Sequence, residues 1–312
     1  KLEEWLNKYA ERRYGAFSDA ANKAWELLLA GPYRAGTNGV ESSSIICARP
    51  AVDVKKSGPN AGFNIPYDPQ SLIEAEACLL QDAEQLKGSK PYRFDIVDVQ
   101  RQLMTNLGQL IQRQIMSNLG QEIHKKAAEA FKKKDKEAFA LHSGRFLELL
   151  KDVDLLLRTR TEFNFDQWLT DARAWGTTDE EQNLFEKNAS SLVTIWGGQV
   201  DVRQFDYSWR EWTGLIEGYY LQRWKQFYDM LQGHLDNGTT YREEDAKMDL
   251  GRQAFRANEF YDSLADWELA FVDRPGKART PVTEGDEVAV ARRMLDKYKQ
   301  LSKEYYNVEK TN

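Results

Sequence analysis

No proline occurs between residues 92 and 274; all eight lie within residues 32–91 or at Pro275 and Pro281. At the usual frequency of about 5%, a stretch of that length carries roughly nine, so their absence predicts long helices whose interior amides are all engaged. Cysteine is limited to Cys47 and Cys78, which allows one bridge but no disulfide framework. Histidine is limited to His124, His142 and His234, with no HExxH and no CxxC, so no metal site and no other cofactor is expected. There is no G-x-S-x-G elbow for a nucleophile, and Gly197-Gly198 lacks the GK[ST] sequel of a phosphate loop and reads as a turn. No run of 18 apolar residues exists, which excludes a helical membrane span. The 43 basic residues are interleaved with 49 acidic ones, for a net charge of −6, so no footprint for nucleic acid forms. The chain starts at Lys1 without a charged-then-apolar leader, which reads as a processed protein or a piece of a longer one.

What is present is helical punctuation. Residues 2–14 followed by Gly15 as the residue after a helix, then Ser18 as N-cap for residues 21–30 before Gly31-Pro32, predict a short helical pair. Asp68-Pro69 opens a helix running to Leu86. Apolar spacing from Tyr92 through Ile96, Leu103, Leu107 and Leu110 continues for about ten turns to the Lys132–Lys134 run, and Asp135 restarts it. Thr178 with Glu181 and Thr240 with Glu243 fit capping boxes, and a last helix runs to about Ser302. No βαβ alternation and no solenoid repeat appears. The expected fold is all-α, a compact domain of about nine or ten helices over residues 1–312, with residues 92–274 helical throughout. Residues 36–66 and 274–284 read as surface loops.

Candidate chemistry is sparse. The acidic clusters at residues 179–181 and 243–245 fall in first turns of helices, where the macrodipole accounts for them, and the lysines at residues 132–136 read as a solvated helix end. Residues 196–228 hold ten aromatics, while aromatics make up 12% of the chain. Aromatic faces stack on the C–H faces of sugar rings, so such a cluster suits a carbohydrate site. Phe205, Trp209, Trp212, Ile216, Tyr219 and Phe227 recur every three or four residues and read as a core stripe, with Gly214 and Gly218 as a close-approach pair. Trp196 and Tyr207 fall outside that stripe and bracket an irregular loop, the usual location of binding residues.

Five ordered segments carry a resemblance. They are Glu11-Arg12-Arg13-Tyr14-Gly15 with Ala24-Trp25-Glu26-Leu27-Leu28-Leu29, residues 92–102 (YRFDIVDVQRQ), residues 168–173 (WLTDAR), Asn188 through Trp196-Gly197, and residues 206–224 with the YYxxRW pattern at Tyr219 to Trp224. In order and spacing they resemble the C-terminal helical region of the α-N-acetylglucosaminidases, glycoside hydrolase family 89. The resemblance implies an exo-acting, retaining hydrolase of terminal α-linked N-acetylglucosamine, built from a small N-terminal domain, a (β/α)₈ barrel and this helical domain. It implies that both catalytic glutamates lie on the barrel, upstream of Lys1, so that this chain holds no catalytic residue. It also implies that Trp196, Tyr207 and Val202 line the sugar pocket, that Arg223 and Gly15 are structural, and that the protein is secreted, periplasmic or lysosomal. Its implied partners are the barrel of the same polypeptide and a glycan ending in α-linked N-acetylglucosamine. Two other readings compete: a non-enzymatic helical module that binds carbohydrate or protein, and an unrelated enzyme using helix-borne acids.

Overall fold

The computed structural model describes residues 2–34, 44–52, 54, 56–57, 61–62, 65–125, 134–196, 205–239, 241, 258–274 and 280–311. Eleven α-helices occur among them. Helix α1 (Leu2–Tyr14) stops where Gly15 turns left-handed at φ +79, a conformation that penalises any Cβ, and donates its N–H to Glu11 O at 2.8 Å. Helix α2 (Asp19–Ala30) starts on Ser18, whose Oγ accepts from Ala21 N at 2.9 Å and donates to Asp82 Oδ2 at 2.7 Å. Asp68 caps the next helix through Gln70 N at 3.0 Å, but Asp82 divides it into α3 (Gln70–Gln81) and α4 (Ala83–Leu86). The proline-free stretch carries most of α5 (Lys90–Lys125) and all of α6 (Lys134–Leu157), but it is not helical throughout: residues 158–160, 174–178, 193–196 and 205–214 are turns or irregular chain.

Helices α7 (Phe165–Arg173) and α8 (Asp179–Leu192) form a short hairpin. Thr178 Oγ1 accepts from Glu181 N at 3.2 Å, while the Glu181 carboxylate reaches back one residue further than a capping box requires, to Thr177 N at 2.7 Å. Helices α9 (Leu221–Asn237), α10 (Glu259–Val272) and α11 (Glu287–Thr311) complete the set. One antiparallel ladder, Lys56–Ser57 with Ala61–Gly62, adds two residues of extended chain on each side. The Thr240 to Glu243 capping box, the acids at 243–245, Gly197-Gly198 and residues 132–133 lie outside the described residues.

The core centres on α5 and α6, where Leu103, Leu107 and Ile111 meet Phe146, Leu150 and Val153, all fully or almost fully buried. Each of these buried side chains contributes about 1.5–3 kcal/mol to the stability of the fold. The ends of α1 and α5 are locked by charge: Arg13 grips Asp95 with Nε and Nη2, each at 2.6 Å, and Tyr14 donates to the same carboxylate at 2.8 Å. Trp25 Nε1 in turn donates to the Tyr14 hydroxyl at 2.9 Å.

The expectation of a surface loop over residues 36–66 is wrong for its centre. Ile45, Ile46, Cys47, Ala48 and Ala51 are buried, and the segment sits against α9, where Trp224 Nε1 donates to Ile46 O at 3.2 Å. The four consecutive apolar residues at 45–48 supply the burial, and side-chain donors satisfy the carbonyls that a loop leaves unpaired. Cys47 and Cys78 do not pair; Cys47 is buried and Cys78 half-buried.

Glu76 of α3 is fully buried with neither carboxylate oxygen bonded, and burial pushes its carboxyl well above the usual range. A carboxyl whose folded-state pKa is raised stabilises fully below its unfolded pKa, and that contribution is lost as pH rises through the folded value. Glu76→Met is therefore expected to stabilise, by about 1–3 kcal/mol where an unbonded polar group is removed, with a larger gain near pH 8 than near about pH 5. Urea midpoints of both proteins at the two pH values check this; an equal gain at both would contradict it.

Candidate functional site

The rings of Trp196 and Tyr207 meet in space. Their ring centroids lie 4.7 Å apart at 55°, with Trp196 half-buried and Tyr207 42% exposed. Two points of backbone strain hold the pair: Trp196 (φ 61) and Asp206 (φ 59) are the non-glycine residues with left-handed backbone among those described. Such conformations cost about 1–3 kcal/mol each and persist only where surrounding bonds impose them. Here Trp196 N donates to Ser191 O at 2.7 Å within its own segment, and Asp206 N donates to Thr194 O at 2.8 Å, tying the two segments together. The Tyr220 hydroxyl adds a second stitch, donating to Val193 O and accepting from Arg210 N, both at 3.3 Å. Val202, expected as a third wall residue, lies outside the described residues.

Beside the Trp196–Tyr207 pair is a buried ion cluster. Arg223 Nη1 contacts both oxygens of Asp206 at 3.0 and 3.1 Å and Glu268 Oε1 at 3.1 Å, while Nη2 donates to Cys47 O at 2.8 Å. Arg49 closes the cluster on Glu268 at 3.0 Å, and the guanidinium of Arg223 lies 4.5 Å from the Tyr219 ring centroid. Two arginines and two acids balance, all at least nine-tenths buried. Burial pushes the Asp206 carboxyl up to about 6 despite the opposing pull of Arg223. Asp206 is thus turned inward, one residue before Tyr207. It is fully buried and held away from solvent.

The helical reading of the aromatic segment fails before residue 215. Phe205 lies in a turn and Trp209 and Trp212 in irregular chain, all half-buried, so their three- to four-residue spacing is not that of a helix face. Helix begins at Leu215 and passes through a π-turn, Ile216–Tyr220, that brings Tyr219 and Tyr220 both into the core. Its start is capped by Asp154 of α6, which accepts from Thr213 Oγ1 at 2.9 Å and Gly214 N at 2.7 Å. Gly214 is needed for its φ of +81, since an added Cβ would make only ordinary contact, with Phe165 Cβ at 3.8 Å. Asp154 and Tyr220 escaped sequence reasoning because nothing local marks a side chain that caps or stitches distant segments.

A model of the alpha-N-acetylglucosaminidase C-terminal domain matches residues 5–297. The chain belongs to this family. It is 28% identical over 302 residues to the human alpha-N-acetylglucosaminidase, a match spanning 95% of this chain and 36% of that protein. Its fold is similar to that of a family 89 glycoside hydrolase from Clostridium perfringens in complex with PUGNAc, with a TM-score of 0.79 and 26% identity over 96% of this chain and 32% of the enzyme. A structure of that bacterium's enzyme carrying two Glu-to-Gln substitutions, in complex with its substrate GlcNAc-α-1,4-galactose, matches equally, with a TM-score of 0.79 over 95% of this chain. The chain spans about a third of the length of these relatives.

Within the family's C-terminal domain the resembling segments now separate by role. Arg13, Tyr14 and Asp95 form the α1–α5 clamp, and Arg223 with Asp206 forms the buried cluster. Trp168, from the WLTDAR segment, donates Nε1 to Ala189 O at 2.9 Å and leaves its ring 37% exposed. Trp196 and Tyr207 stand apart from these as partly solvent-facing aromatics on strained, stitched backbone. Among the described residues no group of three His, Cys, Asp or Glu could hold a metal ion, and no helix is long and apolar enough to cross a membrane.

Proposed function

We propose that the chain serves as the C-terminal helical domain of an exo-acting, retaining α-N-acetylglucosaminidase and contributes one wall of its substrate pocket. The observation that carries this is the Trp196–Tyr207 pair, two aromatic faces held partly open to solvent by strain that the fold maintains. An indole face offers stacking area to a pyranose or its N-acetyl methyl, and the phenol hydroxyl offers one directional hydrogen bond. Retaining hydrolysis also needs two carboxyl groups about 5–5.5 Å apart, one as nucleophile and one as acid/base. Asp206, the acid beside this wall, is locked under Arg223; the family resemblance implies that those carboxyl groups come from a barrel elsewhere in the full polypeptide.

The surface of the α7–α8 hairpin, including the turn at Trp175 between the two helices, supports such an arrangement. Trp168, Trp175, Leu184, Phe185 and Leu192 are all exposed, Trp175 at 81%, and apolar side chains at that density suit burial against another domain. The glycan is one that ends in α-linked N-acetylglucosamine, in a compartment outside the cell, in the periplasm or in the lysosome. The 312-residue chain alone is expected to show no hydrolysis of an aryl α-N-acetylglucosaminide, whereas the polypeptide that includes the barrel turns it over. Turnover by the chain alone, abolished by substituting one of its own acids, would refute the division of labour.

A further inference from the structure

Trp196 and Tyr207 each follow directly on a buried residue, Ile195 and Asp206. Ile195 and Phe205, on the two segments, pack into one small apolar cluster with Ala265 and Val272 of α10. Thr194 is fully buried, donates Oγ1 to Ser190 O at 2.7 Å, and accepts on its carbonyl from Asp206 N at 2.8 Å. Both chains are therefore fixed in the interior immediately before they reach the surface at the two rings.

Two buried side chains set how those chains emerge. Asp206 holds φ 59 while its carboxylate pairs inward with Arg223 Nη1 at 3.0 and 3.1 Å. Aspartate is among the few non-glycine residues that tolerate this conformation. Releasing the carboxylate would strand a buried charge, a larger penalty than one left-handed residue, so the ion pair imposes the turn that precedes Tyr207. Tyr220, fully buried in the π-turn, donates its hydroxyl to Val193 O and accepts from Arg210 N, so one oxygen joins the segment before Trp196 to the segment after Tyr207. Burial pushes that hydroxyl well above its usual range, which keeps it protonated and able to donate.

We propose that Asp206 and Tyr220 are positioning residues for sugar binding, which fix the relative placement of the Trp196 and Tyr207 rings before substrate arrives. The inference rests on the pocket-wall role proposed above. Two rings held in place lose no freedom when a sugar seats against them, whereas rings on loosened chain must be ordered at that moment, at a cost in affinity. Loosening weakens the substrate complex and the transition state alike, so it raises KM and leaves kcat in place. A purely structural role has the opposite signature: unfolded enzyme is lost from the assay, which lowers kcat per mole of protein and leaves the KM of the folded remainder unchanged.

The test is steady-state kinetics of the full polypeptide on an aryl α-N-acetylglucosaminide. Tyr220→Phe keeps the ring and its packing, and is expected to raise KM about three- to tenfold with kcat held within about twofold. Asp206→Ala removes the carboxylate and resists φ 59, and is expected to raise KM at least about tenfold in the enzyme that folds. Asp206→Asn keeps an acceptor for Arg223 and tolerates the left-handed turn, so it should restore most of that loss. In a Trp196→Gly background, Tyr220→Phe should raise KM by less than it does alone, because one of the two rings it positions is gone. Unchanged KM in Tyr220→Phe and Asp206→Ala, with kcat falling alongside the thermal midpoint, overturns the proposal, as does an equal effect of Tyr220→Phe in both backgrounds. If Trp196→Gly lowers kcat/KM while those two variants keep their KM, the wall stands and only the positioning role is lost. If Trp196→Gly leaves kcat/KM unchanged, the wall fails and the positioning role with it.

Discussion

Replacing Arg223 with methionine is expected to cost about 3–5 kcal/mol of folding stability, because it strands Asp206 and Glu268 in the interior without their shared cation. Domains have only about 5–15 kcal/mol in total, so the variant should be largely unfolded or aggregated near body temperature. Arg223→Lys keeps the charge but cannot span Asp206, Glu268 and Cys47 O together, and should fall between the two. Substituting Arg223, Asp206, Glu268 and Arg49 together by apolar residues should cost less than Arg223→Met alone, since no uncompensated charge remains. Thermal and urea midpoints of the three variants measure this. A stable Arg223→Met protein would show that the cluster is dispensable to the fold.

The second large effect is on catalysis. In the full polypeptide, Trp196→Gly is expected to lower kcat/KM by roughly ten- to a hundred-fold, the equivalent of losing about 1.5–3 kcal/mol of stacking in the transition state. Glycine is the informative replacement because it accepts φ 61 without strain, so what the backbone gains offsets part of what the lost indole packing removes. The thermal midpoint should therefore move little while the rate falls. Tyr207→Phe keeps the ring and deletes one hydroxyl worth about 0.5–1.5 kcal/mol, a smaller loss. Should Trp196→Gly lose stability and activity in proportion, the indole belongs to the core and the pocket-wall role fails.

Much of the fold was legible because helices announce their ends locally. Ser18, Gly15 and the Thr178 cap each act within a few residues of where they sit in the sequence, and the absence of proline over residues 92–274 follows from backbone bonding alone. Residues 205–212 misled because recurrence every three or four positions also arises in irregular chain that dips repeatedly toward a core. Residues 44–51 misled differently: their glycine-, serine- and proline-rich flanks suggested surface, whereas carbonyls at 46 and 47 are paired by Trp224 and Arg223 nearly 180 residues away. The buried ion cluster was invisible for the same reason, since Arg49, Asp206, Arg223 and Glu268 come from four separate segments. Trp196 and Tyr207 were separable from the other aromatics by their place at a loop, and the family resemblance named them as pocket residues; neither signal carried the left-handed backbone that holds them.

The most direct measurement is a crystal structure of the full polypeptide with a bound N-acetylglucosamine-like inhibitor such as 2-acetamido-1,2-dideoxynojirimycin, the ligand present in one of the similar Clostridium perfringens structures. The account predicts the ligand seated between a pair of barrel carboxylates and this domain, with the Trp196 ring in van der Waals contact with it and the Tyr207 hydroxyl within hydrogen-bonding distance. A ligand bound with no side chain of residues 1–312 in contact would contradict it.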